Sequence, residues 1–294
     1  MGDLLRRYGT TLTTIFAALT AFWLLALVVL PDLYLFENSF RPYLPIAEMG
    51  GPKDFYSLNN YLTFFNSPIH IQVFIWTIVY SSVVTVVCFV IAYPLAYYLA
   101  KVARSNVVPT LFLLLLIPLW VSEVLRSFAW FIILALKGPL NFMLTGTGII
   151  DQPIRWMTGF RSVIIGLVYT YVLFMLFPLY NAIQSLDTNQ IEAAEDLGSP
   201  WWRTHWRVIL PHAKPGIASG AVMVFMLSAG SILVPTLLAS TNSRWFTEII
   251  QQWMFESQDW NTGSAYAFLL LLICTIFISI VMRLFRVKLS DIAK

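Results

Sequence analysis

Apolar residues in this chain do not alternate with polar ones. They run on almost uninterrupted in six blocks, at about 12–35, 73–100, 108–136, 163–183, 217–238 and 265–285. A helix needs about 20 apolar residues to cross roughly 30 Å of hydrocarbon, and each block reaches that length. Membrane barrels are built from short alternating segments, which these continuous runs are not. The third block is the irregular one, interrupted by Pro118, Glu123 and Arg126. The pattern predicts an all-α integral membrane protein of six transmembrane helices, with residues 1–294 forming one transmembrane domain.

The segments between the blocks set the orientation. Arg6, Arg7, Lys101, Arg104, Arg203, Arg207, Lys214, Arg283, Arg286, Lys288 and Lys294 fall on one side. Arg41, Lys53, Lys137, Arg155, Arg161 and Arg244 fall on the other. The richer side is expected to be cytoplasmic, which puts both termini inside and segments 36–72, 137–162 and 239–264 outside. Arg6 and Arg7 precede an apolar run as in a signal peptide. Pro31, Asp32 and Leu33 follow that run in place of a small-residue cleavage site, so it is expected to stay as the first span. The first outer segment is rich in Pro and Gly (Pro42, Pro45, Gly50, Gly51, Pro52, Pro68), which is turn chemistry. The last carries Trp245, Trp253 and Trp260 beside Glu248, Glu256 and Asp259. Those indoles suit the headgroup layer, or a surface where an outside protein docks.

Composition agrees with a bilayer as solvent: 59% of residues are hydrophobic and 11% charged, against roughly 25% charged in a soluble domain. The formal charge of +3 is small and dispersed, so no nucleic-acid partner is expected. Cys88 and Cys274 lie within apolar runs and read as small buried hydrophobes. His70, His205 and His212 do not stand at metal-ligand spacing with carboxylates, so no metal is expected. The chain has no G-x-x-x-x-G-K-[ST] phosphate loop and no G-x-S-x-G elbow, so neither ATP hydrolysis nor hydrolase chemistry is expected of it.

Segment 185–216, between the fourth and fifth blocks, is the most informative. Asp187 can cap a helix on the N–H three residues on, and Gln190 can return the bond as a capping box. Glu192, Ala193 and Ala194 fall in good helix-forming sequence, and Gly198 is placed to end the helix in the left-handed region. Ser199 can cap a second helix with Pro200 at its first position. Trp202, Trp206 and Ile209 would then share one face and Arg203 and Arg207 another, before Pro211 and Pro215. Two short helices joined by a hard turn could anchor at the inner membrane surface, or could pass force from a cytoplasmic partner to the spans.

The run EAAEDLG at 192–198 followed by VILP at 208–211 resembles the EAA loop of the permeases of binding-protein-dependent ABC importers. In that family EAA, three residues, Gly, nine residues and I-x-L-P follow one another. Glu192, Ala193, Ala194, Gly198, Leu210 and Pro211 stand in register, with Val208 in place of the usual Ile. The resemblance implies the type I importer permease (MetI-like) fold in a bacterial inner membrane. It implies a coupling helix seated in a cleft of an ATPase subunit, where Ala193 and Ala194 permit close approach, Glu192 holds the loop or pairs with a basic group, and Gly198 turns the chain. It further implies two ATPase subunits that bind ATP and Mg, a second homologous permease subunit, and a periplasmic substrate-binding protein. This chain would itself bind no cofactor.

Within that family, residues 116–141 resemble permeases of polyamine importers of the PotB/PotH type, through Pro118, Trp120, Leu125, Arg126, Ala129, Trp130, Gly138, Leu140 and Asn141. Permeases for other amines, opines and ferric iron share much of this pattern. Glu123 and Arg126 are the ionisable residues well inside a block, where each charge costs roughly 2.5–3.5 kcal/mol. At i, i+3 they can pair with each other, or Glu123 can help pass a cation. Trp120, Trp130, Tyr169 and Tyr171 could line such a path, since ammonium groups are drawn to ring faces, or could simply pack between helices. Ser219, Gly220, Ser228, Gly230, Ser231 and Pro235 suit a bending span at a subunit interface, or close packing within the chain. An ion-driven secondary transporter would want several intramembrane carboxylates and an inverted repeat, whereas Glu123 stands alone.

Overall fold

A computed structural model describes residues 2–45, 48, 50–240 and 243–286, with side chains from residue 9 onward. Lys288 and Lys294, and the side chains of Arg6 and Arg7, all used above for orientation, lie outside that description. Among the described residues every regular element is helical: α1 Gly9–Ser39, α2 Asn59–Phe65, α3 Pro68–Val102, α4 Val108–Trp120, α5 Glu123–Leu134, α6 Pro139–Gly146, α7 Arg161–Gln184, α8 Thr188–Asp196, α9 Trp201–His212, α10 Lys214–Ala229, α11 Leu233–Leu238, α12 Phe246–Gln251 and α13 Trp260–Phe285. Five helices are long and apolar enough to cross a membrane, or six if the bent pair α9–α10 counts as one span.

Two of the six expected blocks are broken. The block at 108–136 is two helices, parted where Val121 and Ser122 turn extended (ψ 132° and 146°). Pro118 stays inside α4 and does not cause the break. Ser122 restarts the helix by accepting the Leu125 N–H at 3.3 Å. The block at 217–238 stops at Ala229, with Gly230 as its cap, and resumes as α11.

The chain divides into two compact units. The larger holds α3–α11, the first four residues of α12 and the last part of α13. Its centre is α7, of whose apolar window 61% is buried. Helix α3 presents Val84, Cys88, Ala92 and Ala96 at four-residue intervals, all fully buried in the cluster that α7 contributes to. Helix α10 meets α7 through Gly216 and Gly220. A β-carbon on Gly216 would sit 2.5 Å from the Pro178 carbonyl oxygen, and one on Gly220 would sit 2.6 Å from Met175 Sδ. Lipid tails are as apolar as Leu, so close backbone approach at small residues carries much of the helix association. These glycines therefore serve packing within the chain. Trp245, expected at the headgroup layer, is wholly buried in this unit and donates its indole N–H to the Ser228 carbonyl at 3.0 Å.

The smaller unit holds residues up to Ser67 together with Ile250–Leu269. Arg41 organises it, binding Asp54 at 3.0 Å and Glu37 at 2.5 Å and lying over the Tyr56 ring. Asn60 ties the segment down by donating to the carbonyls of Ser39 and Arg41, both at 2.9 Å. The apolar stretch of α1 is bare: 6% of it is buried within the chain. Its Leu19, Leu27 and Leu30 face outward, as suits a bilayer.

Candidate functional site

Residues 185–216 fold into a rigid projection rooted in the larger unit. Asp187 caps α8, but its carboxylate accepts the Asn189 N–H at 3.0 Å, two residues on. The Gln190 N–H goes to the Asp187 carbonyl at 3.1 Å and the Gln190 side chain returns no bond, so the expected capping box is an Asx turn instead. At the other end Gly198 has φ +75°. Its N–H reaches the Glu195 carbonyl at 2.8 Å, and the Ser199 N–H reaches back to Ala194 at 3.0 Å. This pair of bonds closes the helix with a left-handed corner that favours glycine.

The second helix starts one residue later than expected. Pro200 is its N-cap, and the Pro200 carbonyl accepts from Arg203 and Thr204 at 2.8 and 3.2 Å. The expected face of Trp202, Trp206 and Ile209 does not form: Ile209 is buried, while Trp202 and Trp206 are exposed. The reason is a π turn at His205–Ile209, where the Leu210 N–H bonds to His205. Widening the ring to i→i+5 brings Thr204 and Ile209, five apart, onto the same buried side.

Four contacts pin the projection. Ile191 and Ile209 are buried in the core cluster. Lys101, at the end of α3, donates its ammonium to the Leu186 carbonyl and stands 3.5 Å from that of Gln184. Tyr93 Oη and His205 Nδ1 are 2.6 Å apart, with Tyr97 and Trp201 set edge-on to the imidazole. Burial among these rings lowers the His205 pKa. Ser185 Oγ donates to the Ala182 carbonyl at 2.9 Å, so at 3.1 Å it accepts from His212 Nε2. Beyond the pins the tip is bare. Glu192, Ala193 and Gly198 are exposed, Leu197 is 89% exposed, Ala194 and Leu210 are half-buried, and Pro211 is exposed. Helices α9 and α10 then part at 72°. A pinned tip with a protruding apolar side chain can receive a push from another protein surface. Lys101, Tyr93 and Leu197 were not singled out by sequence; a leucine beside the closing glycine of an otherwise polar helix was the available sign.

A second group lies on α5 and α7. Glu123, in the first turn of α5, accepts from Tyr171 Oη at 3.1 Å. The expected Glu123–Arg126 ion pair is absent among the described residues, and the buried Arg126 Nε has no hydrogen-bond partner. The break at Val121 aims Glu123 toward α7, where Tyr171 takes up its oxygen. Trp130 meets Tyr169 edge-to-face at 5.4 Å. Tyr169 and Tyr171, two apart on one helix, diverge, and Trp120 projects away at 80% exposure. So Glu123 and Tyr171 come together, Trp130 and Tyr169 come together, and Trp120 joins neither. No group of three metal-capable side chains occurs among the described residues.

Residues 1–290 match the family described as "Binding-protein-dependent transport system inner membrane component". The chain belongs to this family. It is thus a multi-pass inner-membrane permease subunit of an ABC importer, and such a subunit is not catalytic by itself. The permease is 33% identical over 274 residues to the spermidine/putrescine transport system permease protein PotB of Salmonella typhimurium, covering 92% of this chain and 94% of that one. PotB of Escherichia coli K12 is likewise 33% identical, over 90% of this chain and 94% of its own. Among solved structures, a bacterial ABC transporter that imports the acidic polysaccharide alginate contains a chain of the same fold (TM-score 0.71, 19% identity, 97% of both chains covered). The alginate transporter in complex with an alginate pentasaccharide-bound periplasmic protein gives a TM-score of 0.73 at 18% identity, over 98% of this chain and 99% of that one.

Proposed function

We propose that the permease translocates a small cationic substrate, a polyamine such as spermidine or putrescine, into the bacterial cytoplasm. The observation that carries this reading is the 33% identity to PotB permeases along nearly the whole length of both chains. The alginate importers, at 18–19% identity, bear on the fold and not on the cargo. Glu123 on the path is the residue suited to a passing ammonium group. Tyr171 holds its carboxylate by one hydrogen bond, which a competing cation can take over.

Residues 187–211 are the coupling element in this proposal. Both termini are cytoplasmic, and two ATPase subunits carrying ATP and Mg dock on the exposed face formed by Glu192, Ala193, Ala194, Leu197 and Gly198. A second homologous permease completes the pore, and a periplasmic binding protein delivers the substrate. Closure of the ATPase subunits moves the tip. The pins at Lys101, Tyr93 and Ile209 carry that motion into α3, α7 and α10, and the cavity opens outward. The test is calorimetry of the co-encoded binding protein with spermidine, putrescine and unrelated solutes, paired with uptake by the reconstituted importer. Submicromolar polyamine binding with ATP-dependent uptake supports the reading (~ −8 kcal/mol or better). Tight binding of an opine or ferric iron with no response to polyamines refutes it.

A further inference from the structure

Helices α3, α9, α10 and α13 enclose an apolar crevice of about 640 Å³ in the larger unit. Buried Met175, Ile217, Ala221 and Val281 form its floor. Val86 and Phe89 line one wall, and Ile280 and Leu284 the other. The hydroxyls that reach it, Ser82 and Thr85, are both spent on their own helix, bonding to Ile78 and Ser81 carbonyls at 2.8 Å. The crevice thus offers no free hydroxyl donor along its length. Its charge is confined to one end, where Lys214 stands exposed beside Pro211 and Trp206. Among the described residues Lys214 stands in no ion pair with a carboxylate.

The surrounding sequence deepens this asymmetry. Residues 68–107, 197–230 and 260–286 contain not one Asp or Glu, yet they carry Lys101, Arg104, Arg203, Arg207, Lys214, Arg283 and Arg286. An apolar slot with a basic rim matches a molecule with a hydrocarbon tail and an anionic head. Basic pockets between membrane helices on the cytoplasmic side take anionic lipid headgroups. We propose that this crevice is a binding site for one anionic phospholipid of the inner leaflet. One acyl chain lies between α3 and α13, and the phosphate sits on Lys214. The lipid would brace α9 against α13, so the site sits at the root of the coupling element while being independent of what the importer carries.

The test uses the complete importer purified in mild detergent from vesicles of mixed phosphatidylglycerol and phosphatidylcholine, with retained lipid counted by native mass spectrometry. Phosphatidylglycerol is expected to be retained at one molecule per copy of this chain. Lys214→Gln should lower its retention about fivefold, the effect of one basic group at an anionic surface. Val86→Trp, which fills the exposed mouth of the slot, should lower it too, while Lys137→Gln, between α5 and α6 and outside the lining, should not. The proposal is overturned if phosphatidylcholine is retained equally well, or if both slot variants hold lipid as the unmodified chain does. It is overturned equally if a cysteine introduced at Leu284 crosslinks efficiently to the second permease, which would show protein in the slot. Because the readout is retained lipid, a wrong assignment of the cargo leaves its result intact.

Discussion

Gly198 is the place where a single change separates folding from coupling. Its φ of +75° lies in the region that costs other L-residues roughly 1–2 kcal/mol, and a β-carbon there would meet nothing within 4 Å. The penalty is therefore purely backbone, with no clash to spread damage into the spans. Gly198→Asn should be nearly silent, because Asn tolerates that region. Gly198→Ala should cost about 1 kcal/mol, a fivefold loss of the corner relative to a relaxed turn. Gly198→Pro cannot adopt the φ and deletes the 2.8 Å bond to Glu195, adding roughly 0.5–1.5 kcal/mol. The assay is ATP-driven substrate uptake in proteoliposomes, measured alongside ATP hydrolysis with and without the binding protein. Membrane insertion should be equal for all three variants. The uptake-to-hydrolysis ratio should fall in the order Asn, Ala, Pro, and with Pro hydrolysis should no longer respond to the binding protein. Normal coupling in Gly198→Pro would refute the role given to this corner.

Other outcomes follow from the same geometry. Gly216→Ala drives a β-carbon toward the Pro178 carbonyl and should destabilise the permease by about 1–3 kcal/mol in a thermal melt, whereas Gly146→Ala, with open space around it, should not lower the melting point. The lowered His205 pKa means that the unfolded chain binds the proton more readily than the folded one. Stability should not depend on this group above about pH 6.5 and should decline as the pH falls below it, with His205→Asn flattening the slope measured by melting at several pH values. Glu123→Gln should reduce cation uptake about tenfold, worth ~1.4 kcal/mol, with binding-protein affinity unchanged; undiminished uptake would remove Glu123 from the path.

The membrane spans were legible because apolar runs of that length have no other solvent than lipid. The breaks inside two of them were not. Val121 is an ordinary β-branched residue and Ser122 an ordinary cap, and what selects an interruption there is the fit of α5 against neighbouring helices. Gly198 could be read directly, since the sequence around it ends a helix and glycine is the residue most at ease in the corner. The faces of the following helix could not, because a π turn leaves no mark in composition and shifts every later side chain. The contacts of Lys101 with the end of α7, and of Tyr93 with His205, join residues more than eighty positions apart. No local spacing rule reaches that far. Glu123 stood out as a charge within an apolar block, but its hydrogen-bond partner is Tyr171 on another helix and not Arg126.

Leu197, the most exposed large apolar side chain of the projection, gives the most direct measurement. Leu197→Cys in membranes carrying the whole importer can be tested for crosslinking to the ATPase subunits and for labelling by a membrane-impermeant maleimide from each side. The native Cys88 and Cys274 are buried and should stay silent. A permease–ATPase crosslink whose yield changes with ATP, together with labelling only from the cytoplasmic face, is the predicted result. Labelling from the periplasmic face, or no crosslink in an importer that still transports, would contradict the account.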